Sequence, residues 1–136
     1  MKIQAPVSQI MTPEPIYAEA DNTFSQARDL FLKFKIHHLP VVKDGNPIGI
    51  ISTIDILKAY TVAGQKKWEC DDVSMNKKLS ISDVMTDDPV NISPATSLQQ
   101  AIRVFQESNF QALLVVEFGK LVGILTLKDI VSHITD

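Results

Sequence analysis

The chain has 136 residues, 45% of them hydrophobic, and a formal net charge of −3. That size and composition fit one soluble globular domain, and the acidic balance lacks the basic footprint of a nucleic-acid binder. The single cysteine, Cys70, excludes an internal disulfide, and no stretch approaches the roughly 18 apolar residues of a membrane span or forms the apolar centre of a leader, so the chain is read as cytoplasmic and not membrane-bound.

The second half repeats the first. Residues 7–62 lie on residues 81–136 at a constant shift of 74 without a gap, and sixteen of the fifty-six pairs are identical, which marks an internal duplication. A unit of this length without disulfide or metal buries too little surface to stand comfortably alone, so the repeats are expected to pack on each other as one domain, with 63–80 as the linker. Glycines and an aspartate return at matching places, Gly49 as Gly123 and Asp55 as Asp129, and point to a site, or a turn, made twice.

In chain order, each repeat opens on a proline-bearing segment, Met11-Thr12-Pro13-Glu14-Pro15 or Met85-Thr86-Asp87-Asp88-Pro89, and a short strand is predicted after the last proline. Capping residues, Asp21-Asn22-Thr23 and Ser93 to Ser97, precede runs with helical spacing. Phe24, Ala27, Leu30, Phe31 and Phe34 share one face, as do Leu98, Ala101, Ile102 and Phe105, and these phenylalanines are assigned to the core. Apolar runs on either side of Asp44-Gly45-Asn46 and Phe118-Gly119-Lys120 predict two hairpins with a glycine at positive φ. A second helix follows each hairpin, from about Thr53 to Val62 and from about Leu127 to Ile134, with Asp55 and Asp129 in its first turn, where the dipole favours an acid. The order is β-α-β-β-α in each repeat, an α+β class. The linker, with mixed charge and one tryptophan, is expected to be only partly ordered, with Trp68 as a packing anchor.

This series, with Met-Thr-x-x-Pro, then Leu39-Pro40-Val41-Val42-Lys43-Asp44-Gly45, then Gly49-Ile50-Ile51-Ser52-Thr53-Ile54-Asp55, doubled and in order, resembles the CBS domain, and the tandem pair resembles the Bateman module. The resemblance covers nearly the whole chain. It implies two repeats packed sheet to sheet about a pseudo-twofold axis, and a cleft between them that holds AMP, ADP, ATP or S-adenosylmethionine. It further implies a homodimer pairing through helices, and no required cofactor.

On that resemblance, Ser52 and Thr53 face phosphate at a helix N-terminus, and Asp55 accepts hydrogen bonds from a ribose diol. Adenine is placed among Thr12, Pro15, Ile16 and Tyr17 on one side and His38, Leu39 and Pro40 on the other. The second set is Thr86, Pro89, Val90, Asn91, Ala112 and Leu113 with Thr126, Lys128 and Asp129. The plainer reading of the same residues is that Ser52 and Thr126 are helix caps and the aspartates dipole partners. His37 and His38 stand where the family often carries a basic residue toward phosphate, whereas the second repeat has Gln111 and Ala112, so the first set is better suited to phosphate. Adjacent His37 and His38 on an extended segment point to opposite faces and His133 is distant, so no zinc site is expected.

The function implied is a regulatory module that senses an adenosine ligand and signals to an effector protein in trans. The alternative is a ligand-free dimerisation or scaffold module acting through exposed helix faces such as those ending at Tyr60 and His133. No nucleophile, base and orienting residue recur together, and the chain is not read as an enzyme. Asp55→Ala is expected to weaken ligand binding and leave folding largely intact.

Overall fold

The computed structural model describes residues 3–134. A 3-10 turn (Val7–Gln9) and strand β1 (Thr12–Pro13) precede β2 (Ala18–Glu19), α1 (Phe24–Phe34), β3 (His38–Lys43), β4 (Asn46–Ser52) and α2 (Thr53–Gln65). Helices α3 (Asp72–Lys78) and α4 (Ile81–Val84) then lead into β5 (Thr86–Asp87), β6 (Asn91–Ile92), α5 (Leu98–Glu107), β7 (Ala112–Glu117), β8 (Lys120–Thr126) and α6 (Leu127–Ile134). Each repeat thus contains the expected β-α-β-β-α series, preceded by one further two-residue strand, β1 or β5, inside the Met-Thr segment. No helix among the described residues is long and apolar enough to cross a membrane.

Local chemistry sets the element ends. Thr23 and Ser97 each accept a hydrogen bond from the backbone N–H three residues on, while Gln26 and Gln100 reach back to the cap's own N–H, so α1 and α5 both start on a reciprocal capping box. Each hairpin turns on two residues of positive φ, Asp44 (52°) with Gly45 (81°) and Phe118 (53°) with Gly119 (78°). That pairing is the type I′ geometry whose twist matches the flanking strands. Phe24, Ala27 and Phe31 are buried as expected, and so are Leu98, Ala101 and Phe105. Phe34 is a correction: it is 41% exposed. It lies on the last turn of α1, which Lys35 ends in the left-handed conformation, and its ring sits 5.2 Å from the Lys33 ammonium.

The chain divides into two compact units that do not coincide with the sequence repeats. The first unit comprises Ile16–Asp44 and Ile48–Asp88, with the strand order β2-β3-β4-β5, β2 parallel to β3 and β5 antiparallel to β4. Its core includes Phe24, Phe31, Leu39, Val41, Ile51 and Ile56, joined by Met75 from α3 and Ile81 from α4. The second unit comprises Met1–Pro15, Gly45–Pro47 and Pro89–Asp136, with the order β6-β7-β8-β1. Its core includes Leu98, Phe105, Leu113, Val115, Leu125 and Ile130, joined by Val7 and Ile10. The opening strand of each repeat therefore completes the sheet of the other repeat's unit, Thr12 opposite Ile124 and Thr86 opposite Ile50.

The stretch expected to be a partly ordered linker is instead built into the first unit. Asp71 caps α3, Met75 is fully buried, and Ser25 exchanges two hydrogen bonds with Asn76, its N–H donating at 2.9 Å and its hydroxyl accepting at 2.8 Å. Arg28 of α1 donates to both carboxylate oxygens of Asp72 at 2.6 and 3.1 Å and to the Tyr60 hydroxyl of α2 at 2.8 Å. Trp68 packs against the core, partly buried, with the Lys66 and Lys78 ammoniums 5.6 and 5.8 Å from its ring centre. The packing role expected for Trp68 holds; the expected disorder does not.

Candidate functional site

In the first unit, the end of β4 runs directly into α2 through Ser52, which is the helix N-cap in extended conformation (φ −102°, ψ 165°). The Ser52 hydroxyl accepts from the Asp55 N–H at 3.1 Å, and Asp55 Oδ2 accepts from the Ser52 N–H at 2.8 Å. The Thr53 N–H donates to the His37 carbonyl at 3.0 Å and the Thr53 hydroxyl donates to the same oxygen at 3.3 Å. These bonds hold the head of β3 against the first turn of α2, so His37, His38, Ser52, Thr53 and Asp55 gather in one place.

This arrangement corrects the physical basis of the phosphate assignment. The amides of Ser52, Thr53 and Asp55 are already engaged, and the Thr53 hydroxyl is turned to a carbonyl. What the helix start presents is therefore narrower than a row of open donors. Asp55 keeps Oδ1, which takes no hydrogen bond among the described residues, and its side chain is half-buried. The helix-cap reading and a ligand role are thus compatible for Asp55, through different oxygens.

His38 is half-buried, and successive strand residues alternate faces, so its ring lies on the opposite side of β3 from Leu39 and Val41, which are in the core. Burial pushes the imidazole below its usual range, the neighbouring His37 pushes the same way, and Asp55 opposes them. Ile16 is partly buried against the core and Tyr17 is 48% exposed.

Other expected residues fall elsewhere. Leu39 and Leu113 are fully buried in the two cores, with their side chains committed to packing. Pro40 and Ala112 are buried as well. Thr12 and Pro15 belong to the second unit and Thr86 to the first, so each expected set is divided between units. Tyr60 is not a free helix-end group: it bonds Arg28 and meets Phe24 edge to face at 5.5 Å.

The second unit repeats the construction with different side chains. Thr126 caps α6 by accepting from the Asp129 N–H at 3.2 Å, Asp129 Oδ2 accepts from the Thr126 N–H at 2.9 Å, and the Leu127 N–H donates to the Gln111 carbonyl at 3.3 Å. Leucine at 127 removes the second hydroxyl, and Ala112 replaces the imidazole. Pro89 and Val90 are half-buried, Asn91 and Lys128 are exposed, and His133 Nδ1 lies 2.8 Å from the Asp129 carbonyl. The reciprocal Ser/Thr-x-x-Asp box was visible in the sequence as spacing; the clasp between the residue before β3 and the helix start was not, because nothing local marks it.

The sequence profile of the CBS domain matches residues 7–62 and 81–136. An uncharacterised protein of Methanocaldococcus jannaschii is 31% identical over 137 residues, which is 96% of this chain and 32% of that protein. The chain spans less than two thirds of the length of the curated relatives it resembles most. Among solved structures, the AMP complex of CBSX2 from Arabidopsis thaliana is 28% identical with a TM-score of 0.79, covering 96% of each chain. A CBS domain pair solved with 5′-methylthioadenosine and S-adenosylmethionine is 25% identical with a TM-score of 0.80, also covering 96% of each. Two profile matches over most of the sequence, on a fold shared with CBS pairs, make this chain a member of the CBS domain family, a tandem pair of CBS repeats.

Proposed function

We propose that the chain is a regulatory module that binds an adenosine-containing ligand, AMP, ADP, ATP or S-adenosylmethionine, and passes the occupancy to a protein partner in trans. The observation that carries the reading is the pair of similar structures holding AMP and S-adenosylmethionine with 5′-methylthioadenosine, taken with a capped aspartate that recurs in both repeats. In the first repeat Asp55 Oδ1 is the ribose acceptor, His38 lies toward phosphate, and Ile16 and Tyr17 lie toward the base. In the second, Asp129, Thr126 and Lys128 take the polar roles and Val90 and Asn91 the base. Coupling to the partner requires that the ligand favour one of two states of the module.

A thermal-shift series with AMP, ADP, ATP, S-adenosylmethionine and NAD tests this. A ligand at a hundred times its dissociation constant adds about 2.7 kcal/mol of stability, and no shift with any of them rejects the reading in favour of a scaffold role. The module is further proposed to work as a cytoplasmic homodimer joined through helix faces. Leu57 and Val131, equivalent positions of the two repeats, are 58% and 60% exposed and support that face. A monomeric mass by light scattering contradicts it.

A further inference from the structure

We propose that the first unit carries a docking surface for an acidic segment of a protein partner, built from Trp68 and the lysines at the ends of α2 and α3. The adenosine site contributes no residue to it, so the two readings stand or fall separately. Lys66, Lys67, Lys77 and Lys78 are all exposed and make up four of the thirteen lysines and arginines of a chain that is acidic as a whole. Lys66 follows the last residue of α2 and Lys78 ends α3, yet both ammoniums converge on one indole, 5.6 and 5.8 Å from its ring centre. The turn that presents the indole is fixed. The Lys67 N–H donates to the Gly64 carbonyl at 3.2 Å and the Trp68 N–H to the Ala63 carbonyl at 2.9 Å, which closes α2 as a Schellman turn. Lys67 takes the left-handed conformation there (φ 58°), at the position where glycine is usual.

The acids of the same segment do not neutralise these lysines. Asp72 turns both oxygens to Arg28, Asp71 turns both to Ser74, and none of the four lysines is ion-paired among the described residues. A helix end favours lysine, but each C-terminus carries only about half a negative charge, which four ammoniums outweigh. Nor does the fold demand lysine here: the shift of 74 sets Ile3 and Gln4 of the second unit opposite Lys77 and Lys78. What covers such a face must bring negative charge. Carboxylates suit it better than phosphate, because the group contains no arginine to hold an oxyanion by two parallel bonds. Val73, one turn before Lys77 on the same face of α3 and 66% exposed, adds an apolar contact of the kind a peptide side chain meets. The net charge of −3 opposes the dense charge of a nucleic acid.

Trp68 is the chain's only tryptophan, so its fluorescence reads this surface directly. The full chain is titrated in about 0.1 M salt with a glutamate-rich peptide bearing leucines, and calorimetry with the same peptide supplies an affinity that does not depend on the indole. Expected is a saturable change in emission that weakens as salt is raised. Binding is expected to be about five- to tenfold weaker in the double variant Lys66→Gln, Lys78→Gln, weaker also in Lys77→Gln, and unchanged in Lys33→Gln, whose ammonium lies over a different ring, that of Phe34. Circular dichroism of each variant checks that the fold is kept. No saturation, equal affinity in the double variant, or equal binding of the same peptide with glutamine for glutamate overturns the inference. A stronger response to single-stranded RNA or to phosphatidylserine vesicles than to the peptide overturns it as well, and assigns the surface to that polyanion.

Discussion

The thioether of Met85 lies where a side chain at Gly49 would be. A Cβ added at Gly49 overlaps Met85 Sδ, comes within 2.9 Å of its Cγ and stands 3.0 Å from the Thr86 carbonyl oxygen. The recurrent Gly49 and Gly123 let the Met-Thr strand of each repeat lie close on the sheet formed mainly by the other repeat, with Met11 over Gly123 in the same way. Gly49→Ala must move backbone as well as side chain and is expected to cost about 1–3 kcal/mol. At Gly123 the three atoms nearest the added Cβ all belong to Met11, a flexible side chain, so Gly123→Ala is expected to cost less. Urea unfolding of both variants checks the order, and Met85→Ala placed in the Gly49→Ala background should recover part of the loss.

The capping box on α2 changes what Asp55 substitutions do. Because Asp55 Oδ2 accepts from the Ser52 N–H, Asp55→Ala removes one of two reciprocal bonds, so a stability cost is expected beside any effect on the ligand. Ser52→Ala and Asp55→Ala are each expected to lower stability by about 0.5–2 kcal/mol. Asp55→Asn, which keeps an acceptor oxygen for the cap, is expected to retain most of that stability while weakening the ligand. Denaturation and calorimetry on the same three variants separate the two effects.

The Arg28–Asp72 contact fastens α3 and gives a pH signature. Hydrogen bonds from Arg28 hold the Asp72 carboxyl below its ordinary value of 3.8. A carboxylate depressed by folding contributes stability that is present above its ordinary value and is lost as pH falls through the lower folded value. Fluorescence of Trp68, which neighbours α3, should therefore report detachment of this helix at acid pH in the wild type. In Asp72→Asn that step is expected to disappear from the titration. An unchanged acid transition in the variant counts against the contact as the fastener.

The units also dictate where the chain can be cut. Residues 16–88 hold all four strands of the first sheet, both helices of the first repeat, and the buried Met75 and Ile81. Residues 7–62, the repeat as the sequence delimits it, lack β5 and those two side chains. The first fragment is expected to unfold cooperatively in urea, and the second, as a monomer, to show no cooperative transition by circular dichroism.

Sequence suffices where the determinants of structure are local. Thr23 and Ser52 as helix starts, Gly45 and Gly119 in the hairpin turns, and α6 from Leu127 to Ile134 all follow from residues within a few positions of one another. The opening strands were missed because each is two residues long and its partner is far away in sequence, Ile124 for Thr12 and Ile50 for Thr86. Phe34 obeys the helical period but not the helix length, and Leu39 fits the motif but points into the core. The expectation for 63–80 came from composition, which carries no information about the docking supplied by Asn76, Asp72 and Met75.

The exchanged opening segments set an order of events on the ribosome. Once residue 88 has emerged, every strand and helix of the first unit is available, whereas Val7, Ile10 and β1 have their partners only in β8 and the residues around α5, made last. During synthesis Val7, Ile10 and β1 are therefore made before their partners, while residues 16–88 already hold all of theirs. Pairing of β1 with β8 and burial of Val7 and Ile10 beside Leu98 and Leu125 then complete the second unit.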